Sequence, residues 1–241
     1  MTKSRGDRSG GRAKPGAGRG LAVRVRAAGR TPSQRRWLER QLNDPYVAEA
    51  KRRGYRSRAA FKLEEIDDRL KLLRPGTCVI DLGAAPGGWT QIAVARARSD
   101  ADTGKVGRVI AVDILPMDAV PGAEILTLDF MADDAPKRIR AALGGEANLV
   151  LTDMAPPTTG HAPTDHLRIV ALAEAAAEFA LEVLAPGGAF VAKVWQGGTE
   201  RALLDRLKRG FAQVRHMKPP SSRSESAELY VVATGFKKRA E

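Results

Sequence analysis

The chain has 241 residues, with 40 lysines and arginines against 28 aspartates and glutamates, a formal charge of +12, and 43% apolar residues. That apolar share excludes a wholly disordered chain, and the single Cys78 excludes an internal disulfide or a multi-cysteine zinc site. No uncharged apolar run reaches the roughly 18 residues of a membrane helix, and the basic N-terminus lacks the apolar stretch of a secretory signal, so a soluble, intracellular, basic protein is expected.

Residues 1–30 hold nine basic residues, one acid and seven glycines, with almost no large apolar side chain. Such a segment cannot bury enough surface to offset its ordering entropy. It reads as a disordered basic arm that binds a polyanion; a solvated, partner-free extension or a transit peptide are the alternatives, the second disfavoured by the glycines. The rest, 31–241, reads as one domain with 31 basic against 27 acidic residues.

Residues 33–53 predict helix, with a break and a fresh start at Asp44-Pro45. The basic cluster Arg52, Arg53, Arg56 and Arg58, with Tyr55 inside it, suits RNA: cations neutralise phosphates and a ring stacks on a base. An exposed helix end is the plainer account. A second amphipathic helix is predicted over 58–73, stopped by Pro75-Gly76. The chain then alternates. Strands are predicted over 77–82, 108–112, 124–128, 148–152 and 189–194. Helices are predicted over 89–98, 135–143, 165–184 and 199–209. Two last strands, 211–217 and 228–234, have no helix between them and should pair antiparallel. Alternating strands and helices predict an α/β fold, a mostly parallel sheet with helices on both faces.

The first strand runs into Asp81-Leu82-Gly83-Ala84-Ala85-Pro86-Gly87-Gly88-Trp89. Ligands of such sheets bind at the carboxyl ends of strands, and Gly83 and Gly87 let the backbone approach one closely. A dinucleotide, a nucleotide or S-adenosylmethionine all fit; a Walker loop does not, because its Lys-Ser/Thr pair is missing. Asp113 ends the second strand, where a carboxylate can accept from a ribose diol; Asp129 ends the third and could accept from an adenine amino group; Asp153 ends the fourth. With Asp81 these make four acids along one sheet edge. They would repel a pyrophosphate and attract a sulfonium cofactor carrying an ammonium group. Singly, each would pass as a cap or turn residue.

Seven segments then carry a resemblance: Arg56-Ser57-Arg58-Ala59-Ala60-Phe61-Lys62-Leu63, the glycine turn 81–89, Asp113-Ile114-Leu115-Pro116-Met117-Asp118, Asp153-Met154-Ala155-Pro156, Leu184-Ala185-Pro186-Gly187-Gly188, Lys193-Val194-Trp195-Gln196-Gly197 and Lys218-Pro219-Pro220-Ser221-Ser222-Arg223. In this order, from about Gln34 to Phe236, the chain resembles the FtsJ/RrmJ (RlmE) ribosomal RNA ribose 2′-O-methyltransferases. The resemblance implies a Rossmann-like class I fold with a seven-stranded sheet and an antiparallel last strand, and S-adenosyl-L-methionine as cofactor. It implies methylation of a uridine ribose in the A loop of 23S rRNA, on the large ribosomal subunit or its late precursor, by a cytoplasmic monomer. It carries a Lys-Asp-Lys-Glu constellation onto Lys62, Asp153, Lys193 and Glu228, and cofactor contacts onto Gly87, Trp89, Asp113, Asp129 and Asp153. Where the family commonly has Asn after Asp-Met-Ala-Pro, this chain has Pro157.

The chemistry asks for such residues. A ribose hydroxyl is a poor nucleophile, so the site must align it for in-line displacement and assist loss of its proton. Lys193 is the candidate base, or alternatively stays protonated and only positions the hydroxyl; Lys62 supplies positive field or holds an oxygen, and Asp153 and Glu228 orient the two amines. Lys62 could instead be a surface lysine resting on Phe61, whereas Lys193, between Val191-Ala192 and Val194-Trp195, is an odd place for a structural charge. No metal is called for. An NAD-dependent oxidoreductase leaves both lysines unexplained, a non-catalytic RNA-binding module leaves the constellation intact without a use, and a tRNA or cap methyltransferase would keep the chemistry and change the target.

Overall fold

In a computed structural model the described residues are 31–157, 159–196 and 201–238, with Arg24 and Gly29. The expected basic arm, 1–30, lies otherwise outside them. The chain divides into two units, Met1–Asp44 and Pro45–Glu241. In the first, α1 (Pro32–Leu42) starts with Thr31 and Gln34 capping each other's backbone N–H groups, at 3.2 and 2.9 Å.

The second unit opens with α2 (Pro45–Arg52) and α3 (Ala60–Leu70). Next come β1 (Cys78–Leu82), α4 (Gly88–Ala97), β2 (Arg108–Asp113), β3 (Ala123–Thr127), α5 (Ala135–Leu143), β4 (Ala147–Thr152) and α6 (Ala162–Val183). The chain closes with β5 (Leu184–Trp195), α7 (Arg201–Gly210), β6 (Phe211–Met217) and β7 (Glu228–Phe236). The seven strands form one sheet in the order β3-β2-β1-β4-β5-β7-β6. All neighbouring pairs among β1 to β5 are parallel, and β7 is antiparallel to both β5 and β6. The predicted antiparallel pairing of the last two strands is therefore present, with β7 inserted between β5 and β6.

Central strands buried on both faces must be apolar throughout, and β1 and β4 are largely so (Cys-Val-Ile-Asp-Leu; Ala-Asn-Leu-Val-Leu-Thr). Ile80, Ile110, Val150 and Phe190 pack with Ile139, Ala176, Ala180 and Leu207 of α5 to α7 on one face. Val79, Val109, Leu149, Leu151 and Val232 pack with Leu63, Ile66, Trp89 and Ile92 of α3 and α4 on the other. Leu63 and Ile66 are fully buried, and truncating either to alanine costs about 2–5 kcal/mol.

Two boundaries differ from expectation for identifiable reasons. Helix α3 stops at Leu70 because Lys71 turns left-handed (φ 53°, ψ 47°) and the Asp67 carboxylate takes the Leu73 N–H at 2.8 Å. The Pro186-Gly187-Gly188 turn lies inside β5, as an irregularity between the Leu184–Ala147 and Ala189–Leu149 pairs. Among the described residues no helix is long and apolar enough to cross a membrane.

Candidate active site

The strand order reverses between β1 and β4, so the crevice beyond their carboxyl ends is where a doubly wound sheet binds ligands. The glycine turn lines it. Gly83 and Ala84 both donate to Val112 O, at 2.8 and 3.1 Å. Gly83 has φ +79°, and a Cβ there would lie 2.6 Å from Met154 Cγ and 2.9 Å from the Met154 backbone, so no other residue fits. Gly87, at φ +107°, caps α4, whose first N–H groups have no intrahelical acceptor and face the crevice end of the helix. The turn is tied to the next strand by Asp113, whose two carboxylate oxygens accept from Ala85 N and Leu115 N, each at 2.8 Å. Each oxygen keeps a lone pair for a ligand's hydroxyls. Asp129, exposed after β3, accepts from Met131 N at 2.9 Å.

Two sequence-predicted positions sit differently from a simple lining. Trp89 is buried, its indole N–H donating to Ala59 O at 2.8 Å and its ring 5.6 Å from that of Tyr230. It is a wall between α3, α4 and β7, and what it can offer the crevice is its backbone. Asp81 is not at the edge with the other three acids: it lies inside β1, 1% exposed. Its Oδ2 accepts from the Thr90 hydroxyl at 2.7 Å, and its Oδ1 is buried with no partner among the described residues. Burial pushes its carboxyl up to about 7, against the Thr90 hydrogen bond and with the help of the Asp153 and Asp113 charges.

The four residues of the constellation meet at the carboxyl ends of β4 and β5. Lys193 Nζ, on a side chain only 9% exposed, donates to Asp153 O at 2.6 Å and lies 3.2 Å from Asp153 Oδ1. Lys62 Nζ, from α3, pairs with Glu228 Oε2 at 2.7 Å. Sheet pairing explains the convergence: Lys193 faces Tyr230 and Trp195 faces Glu228 across the β5–β7 ladder. Tyr230 joins the two ion pairs. Its hydroxyl donates to Asp153 Oδ1 at 2.8 Å, and Lys62 Nζ stands 5.7 Å from the centre of its ring. Burial alone would raise the Asp153 carboxyl; Lys193, Lys62 and the Tyr230 hydrogen bond outweigh it and hold the group below its usual range. The Tyr230 phenol is pushed well above its usual value by burial and then by the Asp153 and Glu228 charges.

A strap after β6 completes the frame. Ser222 Oγ donates to Glu228 Oε1 at 2.8 Å, while Ser221 donates through N and Oγ to Glu65 Oε2 at 2.8 and 2.7 Å. Sequence reasoning does not find Tyr230, Ser222 or Glu65. Tyr230 carries a signal, since it follows Glu228 by two on one face of a strand. Ser222 carries one only as a member of the 218–223 segment that bears the resemblance, and Glu65 carries none.

The basic cluster is engaged within the protein. Arg52 pairs with Glu49 at 2.5 Å and Arg53 with Glu64 at 2.7 Å. Arg58 donates to Ser221 O. Arg56 donates to Asp118 O, Ala119 O and Pro86 O at 2.7, 2.6 and 3.2 Å, so it fastens the loop after β2 to the glycine turn.

A family model described as FtsJ-like methyltransferase matches residues 55–236. A protein of Paramagnetospirillum magneticum named ribosomal RNA large subunit methyltransferase E is 58% identical over 240 residues, covering 99% of this chain and 98% of that protein. A protein of the same name from Rhodospirillum rubrum is 57% identical, covering 98% and 95%. A solved structure described as a ribosomal RNA methyltransferase of Plasmodium falciparum is 26% identical with a TM-score of 0.67, covering 77% of this chain and 100% of that one.

Proposed function

This chain belongs to the FtsJ-like methyltransferase family, and from that premise we propose that it methylates the ribose 2′-hydroxyl of a uridine in the A loop of 23S rRNA. At the coarser level it is a ribosomal RNA large subunit methyltransferase, as its full-length relatives are named. The nucleotide, the hydroxyl and the particle, a large subunit or its late precursor, rest on the resemblance of the motifs at 56–63, 81–89 and 153–156. The observation that carries the reading is the meeting of two lysine–carboxylate pairs around Tyr230 beside the glycine turn.

The cofactor is S-adenosyl-L-methionine, and the residues present fit it. Asp113 has lone pairs left for a ribose diol, Asp129 is exposed at the next strand end, and Gly83 and Gly87 supply the left-handed backbone of the turn that borders the crevice. The carboxylates Asp113, Asp129 and Asp153 favour a ligand carrying sulfonium and ammonium charges. When bound, it supplies an electrophilic methyl group. Lys193 Nζ, in the form that holds a lone pair, takes the proton from the 2′-hydroxyl as that oxygen becomes the nucleophile. Asp153 fixes Lys193 Nζ through its carbonyl and its carboxylate. Lys62, held by Glu228, sets positive charge beside the oxygen as it loses its proton.

The test is methyl transfer from labelled S-adenosyl-L-methionine to large subunits lacking the modification, with wild type and Lys193→Ala, the methylated nucleotide being mapped by resistance to alkaline cleavage. Label at the A-loop uridine, abolished in the variant, is expected. Label on tRNA instead would overturn the target and keep the chemistry. Transfer undiminished in Lys193→Ala would overturn the assignment of the base.

A further inference from the structure

At the end of the strands opposite the active site, a groove of about 520 Å³ runs between the C-terminal end of α3 and β6. Thr77, Ala189 and Thr234 are on its floor, Lys71, Arg74 and Arg215 on its sides, and no acidic or aromatic residue lines it. All three cations are exposed. Lys71 and Arg74 form no ion pair among the described residues, and Arg215 donates to Gln213, also an uncharged group. General basicity does not account for them, because residues 31–241 carry 31 basic against 27 acidic side chains.

The backbone holds two of these cations in a fixed turn. Lys71 occupies a left-handed conformation that favours glycine or asparagine. Its N–H bonds Asp67 O at 2.7 Å, and the Leu73 N–H bonds the buried Asp67 carboxylate at 2.8 Å. Arg74 N donates to Thr77 Oγ1 at 2.9 Å, and that hydroxyl returns to Arg74 O at 2.6 Å. Service to the α3 dipole explains a cation at Lys71, but neither Arg74 nor Arg215.

We propose that this groove binds the phosphate backbone of the RNA substrate, at a place remote from the methylated nucleotide. The inference rests on the RNA-methyltransferase reading above. Like charges gathered without a counter-charge repel one another until an anion joins them. Without an aromatic ring there is nothing to stack a base on, so the groove meets phosphate and is indifferent to sequence. Ala189, at the groove, and Lys193, at the active site, lie four residues apart on the buried strand β5, about 13 Å at the rise of a strand, so an RNA that meets both passes around the protein and not along the strand.

The experiment compares wild type with a Lys71→Gln, Arg74→Gln, Arg215→Gln variant, measuring affinity for large ribosomal subunits across a salt series. Each phosphate that the protein ceases to neutralise lowers the slope of log K against log salt by about 0.7–0.9. A slope smaller by about 2–3 is expected, with affinity at least about tenfold weaker near 0.1 M salt and unchanged cofactor binding. A companion variant with Arg74→Lys and Arg215→Lys keeps the charge and should keep the wild-type slope; if it behaves like the glutamine variant, packing and not charge is at work and the proposal falls. Unchanged slope and affinity in the glutamine variant, with wild type methylating the subunits, overturn the groove alone. A wild type that neither binds nor methylates RNA overturns both readings.

Discussion

Replacing Tyr230 by phenylalanine removes one oxygen from the centre of the site and leaves the ring beneath Lys62. That oxygen donates to Asp153 Oδ1 at 2.8 Å, on a carboxylate 17% exposed. A hydrogen bond to a charged group at such a site contributes about 1.5–3 kcal/mol. In Tyr230→Phe the carboxylate keeps Lys193, 3.2 Å away, so the cost falls on the hydrogen bond alone. Asp153 sits below its ordinary value in the fold. Its contribution is therefore present above its unfolded value, near 3.9, and is lost as pH falls through the lower folded value. Removing the donor takes away one of the influences that lower that folded value, so acid destabilisation begins at higher pH. Urea unfolding at pH 7 and along a series from pH 6 to pH 3 measures both effects. The variant should lose about 1.5–3 kcal/mol at pH 7, with its acid limb displaced upward. A loss below about 0.5 kcal/mol with an unmoved acid limb would refute the view that Tyr230 holds the Asp153 charge.

Asp81 gives the opposite sign. Its folded value, pushed up to about 7 from an ordinary 3.8, makes its contribution full below about 4 and lost as pH rises through 7. Asp81→Asn should flatten the fall in unfolding midpoint between those pH values; a variant that keeps the wild-type slope would locate that fall elsewhere. Gly83→Ala should destabilise by about 2–4 kcal/mol, because a left-handed backbone and a clash with the Met154 backbone add. It should weaken cofactor binding as well, and calorimetric titration with S-adenosyl-L-methionine showing wild-type affinity would count against the close approach of Gly83 and Met154.

What can be read from the sequence follows from what periodicity encodes. The runs at 78–82 and 147–152 are apolar because both faces of β1 and β4 are covered, and an apolar run ending in aspartate and glycine marks both the strand and its ligand-bearing end. The insertion of β7 between β5 and β6 is invisible to the same signal, since alternation says which residues share a face and not which strand lies alongside. The early end of α3 is hidden because it depends on Asp67 reaching Leu73 N, a tertiary choice made by a residue that otherwise reads as helix surface. Asp81 reads like Asp113 and Asp153 in sequence, yet it pairs with Ala111 and Leu151, so two residues of register separate it, in the strand interior, from the mouth. The arginines at 52–58 announce charge, but Glu49 and Glu64, which hold two of them, look like ordinary helix surface.

The place of β7 sets when, during synthesis, the site can exist. Lys62 finds Glu228 across 166 residues and Asp153 finds Tyr230 across 77, so neither ion pair has its frame until nearly the whole chain has left the ribosome. A nascent chain ending before Glu228 has the glycine turn, Asp113 and Lys193, but β5 then offers a bare edge along Ala189–Trp195, a template for pairing with another chain. The same strand that completes the chemistry also closes that edge, so premature termination yields an aggregation-prone product and not a partly active enzyme.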